Sequence, residues 1–230
     1  MNVGVYVAAG PNPIFLRMLM LQVARQTKLP EYIAIYENGN KTPAFHWACK
    51  EIREQLESKG VKVLYRHDPE PCNRVKRYFE PLRMLVYETE TDIFLKMDLD
   101  DFYADQYIEN TSGMLGDNDW SINLNSSLVL VRPFKGDFKY KDSAVMHHSP
   151  VGAAPTHVSF NRHFAGQYMG TLAGALTRED TADDDLMAET LKGMKVLRVE
   201  GPVDYTYVSH GTNESSSGWQ STGGKIYFDN

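Results

Sequence analysis

Residues 94–108 read FLKMDLDDFYADQYI, and the fold turns on how this stretch is understood. Ile93, Phe94, Leu95 and Met97 form an apolar run after the polar residues 88–92. A short apolar run bounded by polar residues predicts a buried strand. It then breaks into three carboxylates, Asp98, Asp100 and Asp101. A parallel strand that ends in acids puts them at its carboxyl edge, where open α/β sheets bind their ligands. Alternation along a strand gives Asp98 and Asp100 one face and turns Asp101 away or into the loop. Two carboxylates on one face repel unless a cation lies between them, and Mg²⁺ or Mn²⁺ takes such hard oxygen ligands. The same acids fit a solvated loop, or an Asp N-cap for a helix starting near Ala104.

The flanking sequence supplies the sheet. Residues 2–9 (NVGVYVAA) read as a buried first strand closed by Gly10-Pro11. Pro13 opens a helix, and Ile14, Leu16, Leu19, Met20, Leu21 and Val23 make it apolar on more than one side. Residues 32–36 (YIAIY) predict a second strand, with Glu37-Asn38-Gly39-Asn40 as a polar loop at its end. A helix is expected over 44–58, stopped by Gly60, and a strand over 61–65. Residues 66–77 read as a loop rich in Pro, His and Arg, and 79–87 as a helix. This alternation predicts an α/β fold with a mostly parallel, doubly wound sheet and helices on both faces. Beyond it, strands are expected at 120–124, 127–131 and 195–199, and helices at 165–176 and 183–191. Residues 146–164 read as a His-rich loop that passes into a strand or helix, and 209–230 as a Gly- and Ser-rich loop.

The bulk properties narrow the function classes. A chain of 230 residues with no linker or repeat is read as one domain over 1–230. Its net charge of −6, without a Lys/Arg block, argues against nucleic acid as a partner. Cys49 and Cys72 lack metal or redox spacing, so a reducing, cytoplasmic location is expected. No basic region precedes the first apolar run, and no run reaches the ~18 residues of a membrane span. His147, His148, His157 and His163 match no zinc spacing. No GxGxxG follows the first strand, which disfavours a dinucleotide-dependent enzyme.

With these pieces in order, the chain resembles GT-A fold glycosyltransferases, most of all the inverting family 2, over nearly its whole length. Four stretches carry the resemblance: 5–40, the acidic segment 94–103, 182–186 (ADDDL) and 207–215 (YVSHGTNES). The second resembles the family's DxD segment, the third its EDxxL and the fourth its late strand and His-bearing loop. Ala182 replaces the family's Glu, and Glu37 stands where an Asp is usual.

The resemblance implies transfer of a sugar from a nucleotide-diphosphate sugar, a UDP-sugar first, to a glycan or other acceptor hydroxyl. It makes Asp100 the direct ligand of Mn²⁺ or Mg²⁺, with Asp98 beside it, Asp101 in support and His210 as third ligand. Ala8, Ala9 and Gly10 would approach the nucleoside, Glu37 would accept hydrogen bonds from the base, and Arg77 or Arg74 would meet the diphosphate. Asp183, with Asp184 as second choice, would be the base. Asn161, Arg162 and Trp219 would face the acceptor. Residues 1–103 then form the donor half and 104–230 the acceptor half. Two other readings stay open. A sugar nucleotidyltransferase would need a basic Gly-rich loop after the first strand. A binding module of the same fold would lack a base that reaches the site.

Overall fold

The computed structural model describes residues 1–132, 137–145, 157–178 and 183–209. The chain begins with β1 (Val3–Ala9), α1 (Pro13–Ala24), β2 (Tyr32–Asn38), α2 (Phe45–Ala48), α3 (Lys50–Ser58) and β3 (Lys62–Asp68). It continues through α4 (Arg74–Glu88), β4 (Ile93–Lys96), β5 (Phe102–Tyr103) and α5 (Tyr107–Met114). Then come β6 (Trp120–Asn123), β7 (Asn125–Arg132), β8 (Asp137–Val145), β9 (Val158–Asn161), α6 (Arg162–Ala175), α7 (Asp183–Thr190), β10 (Val196–Val199) and β11 (Tyr205–Ser209).

The central sheet has seven strands in the order β10-β6-β9-β4-β1-β2-β3. Only β9 runs antiparallel to its neighbours β4 and β6. The chain builds β1, β2 and β3 outward in one direction, then returns to place β4 on the other side of β1. That reversal puts a topological switch point at the carboxyl ends of β1 and β4, the place where open α/β sheets form their ligand crevice. The register aligns Tyr6 with Lys96. Two residues further on, β1 reaches Ala8 and the segment leaving β4 reaches Asp98. A second sheet, β5-β11-β7-β8, sets β11 antiparallel to β5 and parallel to β7.

Strand alternation divides the core in two. Val5, Val7, Ile33, Ile35, Leu95 and Met97 pack with Leu16, Leu19, Met20 and Val23 of α1 and with Ile52 and Leu56 of α3. Tyr6, Ala34, Phe94, Trp120 and Phe160 pack on the other side with Leu82 and Leu85 of α4, Phe164, Tyr168 and Leu172 of α6, and Leu186 of α7. The predicted doubly wound sheet with helices on both faces is the one observed.

Several elements differ from expectation, β2 and β3 running on to Asn38 and Asp68 among them. The helix expected over 44–58 breaks at Cys49, whose backbone leaves helical geometry (φ −118°, ψ 7°). The helix expected from 79 begins at Arg74, because the Asn73 side chain caps it by accepting from Lys76 N (2.8 Å). Pro81 therefore lies inside α4 rather than at its start, where proline is best tolerated. The hairpin partner of β7, β8, has no counterpart in the sequence reading.

The tightest packing test is at Gly4 of β1. A Cβ there would meet Thr91 Cγ2 and Oγ1 at 2.7 Å and Leu85 Cδ1 at 3.0 Å. We predict that Gly4→Ala destabilises the fold by about 1–3 kcal/mol, the range for overpacking a full core. Urea denaturation at constant slope measures it, and an unchanged midpoint would contradict the packing described.

Candidate functional site

The acid turn sits where β4 runs out. Met97 is still buried, Asp98 and Asp100 are half-buried, and Asp101 is buried. The strand ends at Lys96, so strand alternation does not place Asp98 and Asp100 as expected. A network from distant parts of the chain places them instead. Tyr205 at the start of β11 donates its hydroxyl to Asp101 Oδ2 (2.7 Å). Gln22 of α1 donates to the Asp101 carbonyl (3.2 Å) and accepts from Tyr103 N (2.7 Å). The Tyr103 hydroxyl accepts from Asp98 N (2.6 Å) and donates to Asp98 O (3.2 Å). Burial, followed by the Asp101 and Asp98 carboxylates, holds the Tyr103 phenol well above its ordinary pKa, so it stays a neutral donor. Lys96 Nζ lies 3.2 Å from Asp98 Oδ2.

The carboxyl ends of β1, β2 and β3 form the adjoining wall. Ala8 and Gly10 are partly accessible there. Glu37 does not present its carboxylate to a ligand, as the sequence reading expected. It is fully buried and all its acceptor capacity goes to the protein. Oε1 accepts from Asn40 Nδ2 (2.7 Å) and Ala44 N (2.8 Å). Oε2 accepts from Phe45 N (3.0 Å) and the Tyr65 hydroxyl (2.7 Å). Glu37 thus folds the 39–44 turn and the start of α2.

Three residues that the sequence reading missed stand beside it. With its amide oriented to satisfy both ends, Asn38 donates to Ala9 O (3.3 Å) and accepts from Cys72 N (3.0 Å). His67 Nε2 lies 2.7 Å from Asn40 O. Asp68 accepts from the Tyr36 hydroxyl (3.1 Å) and Lys76 Nζ (2.9 Å), and Lys76 heads the causes that lower its pKa. Their signal in the sequence is polar character at a strand's carboxyl end. Arg74 and Arg77 lie in the first turn of α4 rather than in a loop, and Arg77 Nε donates to Cys72 O (3.4 Å).

Other expected site residues lie elsewhere. Because β9 is antiparallel to β4, its end meets the beginning of β4, with Asn161 opposite Ile93. Asn161 and Arg162 are therefore at the amino edge of the sheet, opposite the acid turn. Asn161 caps α6 by accepting from Phe164 N (2.9 Å) and donates to Asp119 Oδ1 (3.0 Å). Arg162 donates to the carbonyls of Thr91, Val86 and Thr89 at 2.8–2.9 Å. Both are committed to structural bonds, which corrects their acceptor-facing assignment.

Asp183 and Asp184 open α7, whose Leu186 and Met187 pack inward; their side chains, and His210 and Trp219 entirely, lie outside the described residues. His157 is buried against the Tyr107 and Tyr205 rings, which also touch each other. Its Nε2 is 2.7 Å from Asp204 Oδ1 but off the line of a well-directed hydrogen bond. Among the described residues no three His, Cys, Asp or Glu side chains converge as a metal cage.

No family model matches the sequence, and no curated protein matches it. Solved structures do. TarS 1–349 of S. aureus in complex with UDP superposes with a TM-score of 0.59 at 10% identity, over 90% of this chain and 60% of that one. Its complex with UDP-GlcNAc gives 0.59 at 12% identity, over 94% and 61%. A longer TarS structure gives 0.58 at 12% identity, over 92% of this chain and 37% of that one. The chain thus spans about three-fifths of the length of TarS 1–349. The likeness establishes that this chain shares the α/β fold of these TarS structures.

Glu37 generates a prediction of its own. Burial raises its pKa, but the bonds from Asn40, Ala44, Tyr65 and Phe45 outweigh that and leave it lowered. A lowered folded-state pKa gives stability that is present above the unfolded value of about 4.3 and is lost as pH falls through the folded value. Glu37→Gln sets an amide N–H against backbone donors. It is predicted to cost about 2–3 kcal/mol at pH 7, with the gap to wild type narrowing as pH falls. Urea midpoints at pH 7 and pH 3 measure it; a gap independent of pH would contradict the assignment.

Proposed function

We propose that this chain transfers a sugar from a nucleotide-diphosphate sugar to an acceptor hydroxyl, with inversion, in the manner of family 2. The observation that carries the reading is the acid turn 98–101, held by Gln22, Tyr103 and Tyr205 at the crevice between β1 and β4. That crevice is where an open α/β sheet receives a nucleotide. The UDP and UDP-GlcNAc complexes of TarS, which shares this fold, support a UDP-sugar as donor.

The nucleoside lies against Ala8, Ala9 and Gly10, where the polar ends of β2 and β3 complete the wall. Arg77, and after it Arg74, pairs with the diphosphate; a guanidinium suits bidentate phosphate contact. The turn supplies hard carboxylate oxygens on a rigid backbone, a donor set that fits Mn²⁺ or Mg²⁺. Asp100 and Asp98 would hold the ion, with His210 as third ligand, while Asp101 is bonded to Tyr205 and braces the turn. When bound, the ion neutralises negative charge on the departing diphosphate. Asp183, with Asp184 as second choice, takes the proton of the acceptor hydroxyl on the face away from the diphosphate. The acceptor, a glycan or another hydroxyl compound, enters from the side of residues 104–230.

A thermal-shift panel of UDP, GDP, dTDP and CMP with Mn²⁺, Mg²⁺ or EDTA tests this reading. We expect a metal-dependent shift with UDP, worth about 2.7 kcal/mol at a hundredfold excess over the dissociation constant. Asp100→Ala should abolish it. Asp183→Asn should keep the shift but lower transfer by about 10²–10⁴-fold. No shift with any nucleotide and either metal would overturn the proposal.

A further inference from the structure

Lys96 closes β4 opposite Tyr6 of β1, and it is 2% exposed. The strand neighbours on its side of the sheet, Tyr6 and Phe94, belong to an apolar core. A buried ammonium is costly unless it is paired. Asp98 Oδ2 stands beside this one at 3.2 Å, as does the face of the Tyr78 ring, 4.2 Å from ammonium to centroid. Tyr78 belongs to α4, one residue after Arg77. A buried ion pair is often no more stabilising than well-packed apolar side chains of similar volume. Fold stability therefore does not account for a lysine at this strand position, and what the charge does to Asp98 becomes the question.

We propose that Lys96 is a built-in counter-ion to Asp98 that makes binding of the divalent cation conditional on the nucleotide diphosphate. The inference rests on the transferase reading above, in which Asp98 and Asp100 hold the cation. Two uncompensated carboxylates in one turn would capture a divalent ion without help. With Lys96 beside Asp98, roughly one unit of that negative charge is already neutralised. The turn then holds the ion weakly until the diphosphate brings further charge and oxygen ligands. Lys96 is thus a positioning residue that couples the two ligands. Coupling is reciprocal, so the ion must raise nucleotide affinity by the factor by which the nucleotide raises ion affinity.

The test is titration of Mn²⁺ followed by electron paramagnetic resonance, with and without UDP, on the full chain. In the wild type, UDP is expected to tighten Mn²⁺ binding by at least about tenfold. In Lys96→Met, Mn²⁺ alone should bind about tenfold more tightly, and the coupling factor should shrink to match. Lys96→Gln serves as a second neutral variant, and Lys96→Arg, which keeps the charge, should keep the coupling. A purely structural lysine would alter the melting temperature and leave the coupling factor unmoved. Wild-type coupling that persists in a folded Lys96→Met or Lys96→Gln variant overturns this inference and leaves the transferase reading intact. Mn²⁺ binding to wild type as tightly without UDP as with it overturns the inference by itself, even where neither variant folds. Failure of the wild type to bind Mn²⁺ with UDP at all removes the transferase reading and this inference together.

Discussion

Three carboxylates within four residues, at the end of a buried strand, set the terms for the rest of this molecule. Left alone, Asp98, Asp100 and Asp101 would repel and pull the turn into water. The chain answers with neutral or positive groups, Gln22 and Tyr205 brought from far along the sequence and Tyr103 and Lys96 from close by. Tyr205 gives a hydroxyl to Asp101, Tyr103 brackets the Asp98 backbone, Gln22 bridges Asp101 O to Tyr103 N, and Lys96 faces the Asp98 carboxylate. Each sits on a different element: β11, β5, α1 and β4. The turn is therefore as rigid as the packing of those elements.

This explains why the two halves of the fold depend on each other. The four parallel strands β3, β2, β1 and β4 make the crevice, and they come from the first 96 residues. The acid turn at this edge is braced from β11, more than a hundred positions later. Tyr205 also packs its ring against Tyr103 and His157, so the second sheet is anchored to the acid turn through aromatic contacts. Asp204, next to Tyr205, accepts from Asn110 of α5 (3.0 Å) and extends that anchor to the helix after the turn.

The sequence made the sheet legible because buried parallel strands announce themselves. Residues 3–9, 32–38 and 93–96 are dense in apolar, β-branched and aromatic side chains and are closed by polar residues. It made the acid turn legible for the same reason, since three acids after such a run have few places to be. What it hid was partnership at long range. Gln22 lies 79 positions from Asp101, and Tyr205 lies 104 away. No local pattern pairs them. It also hid strand direction. Residues 158–161 read as strand or helix, but only the antiparallel setting of β9 sends Asn161 and Arg162 to the amino edge. The start of α4 was hidden in residues 66–77, whose Pro, His and Arg read as loop although Asn73 caps a helix there.

Glu37 and Asp98 show how one residue class divides into two kinds of work. Both are acids at the carboxyl end of a parallel strand, and the sequence gives no ground for telling them apart. Glu37 receives two backbone N–H groups, an amide and a phenol, so its four acceptor positions are occupied and its charge is spread into the protein. Such a carboxylate is part of the scaffold, because a ligand could reach it only by breaking the turn it holds. Asp98 has its backbone held by Tyr103 while its side chain faces an ammonium. An ion pair, unlike a set of backbone hydrogen bonds, can share its anion with a second cation without unfolding anything. The acid whose backbone is braced and whose charge is balanced by another side chain is the one able to respond to a ligand. That distinction, more than the presence of acids at a strand end, is what the proposed donor site between β1 and β4 rests on.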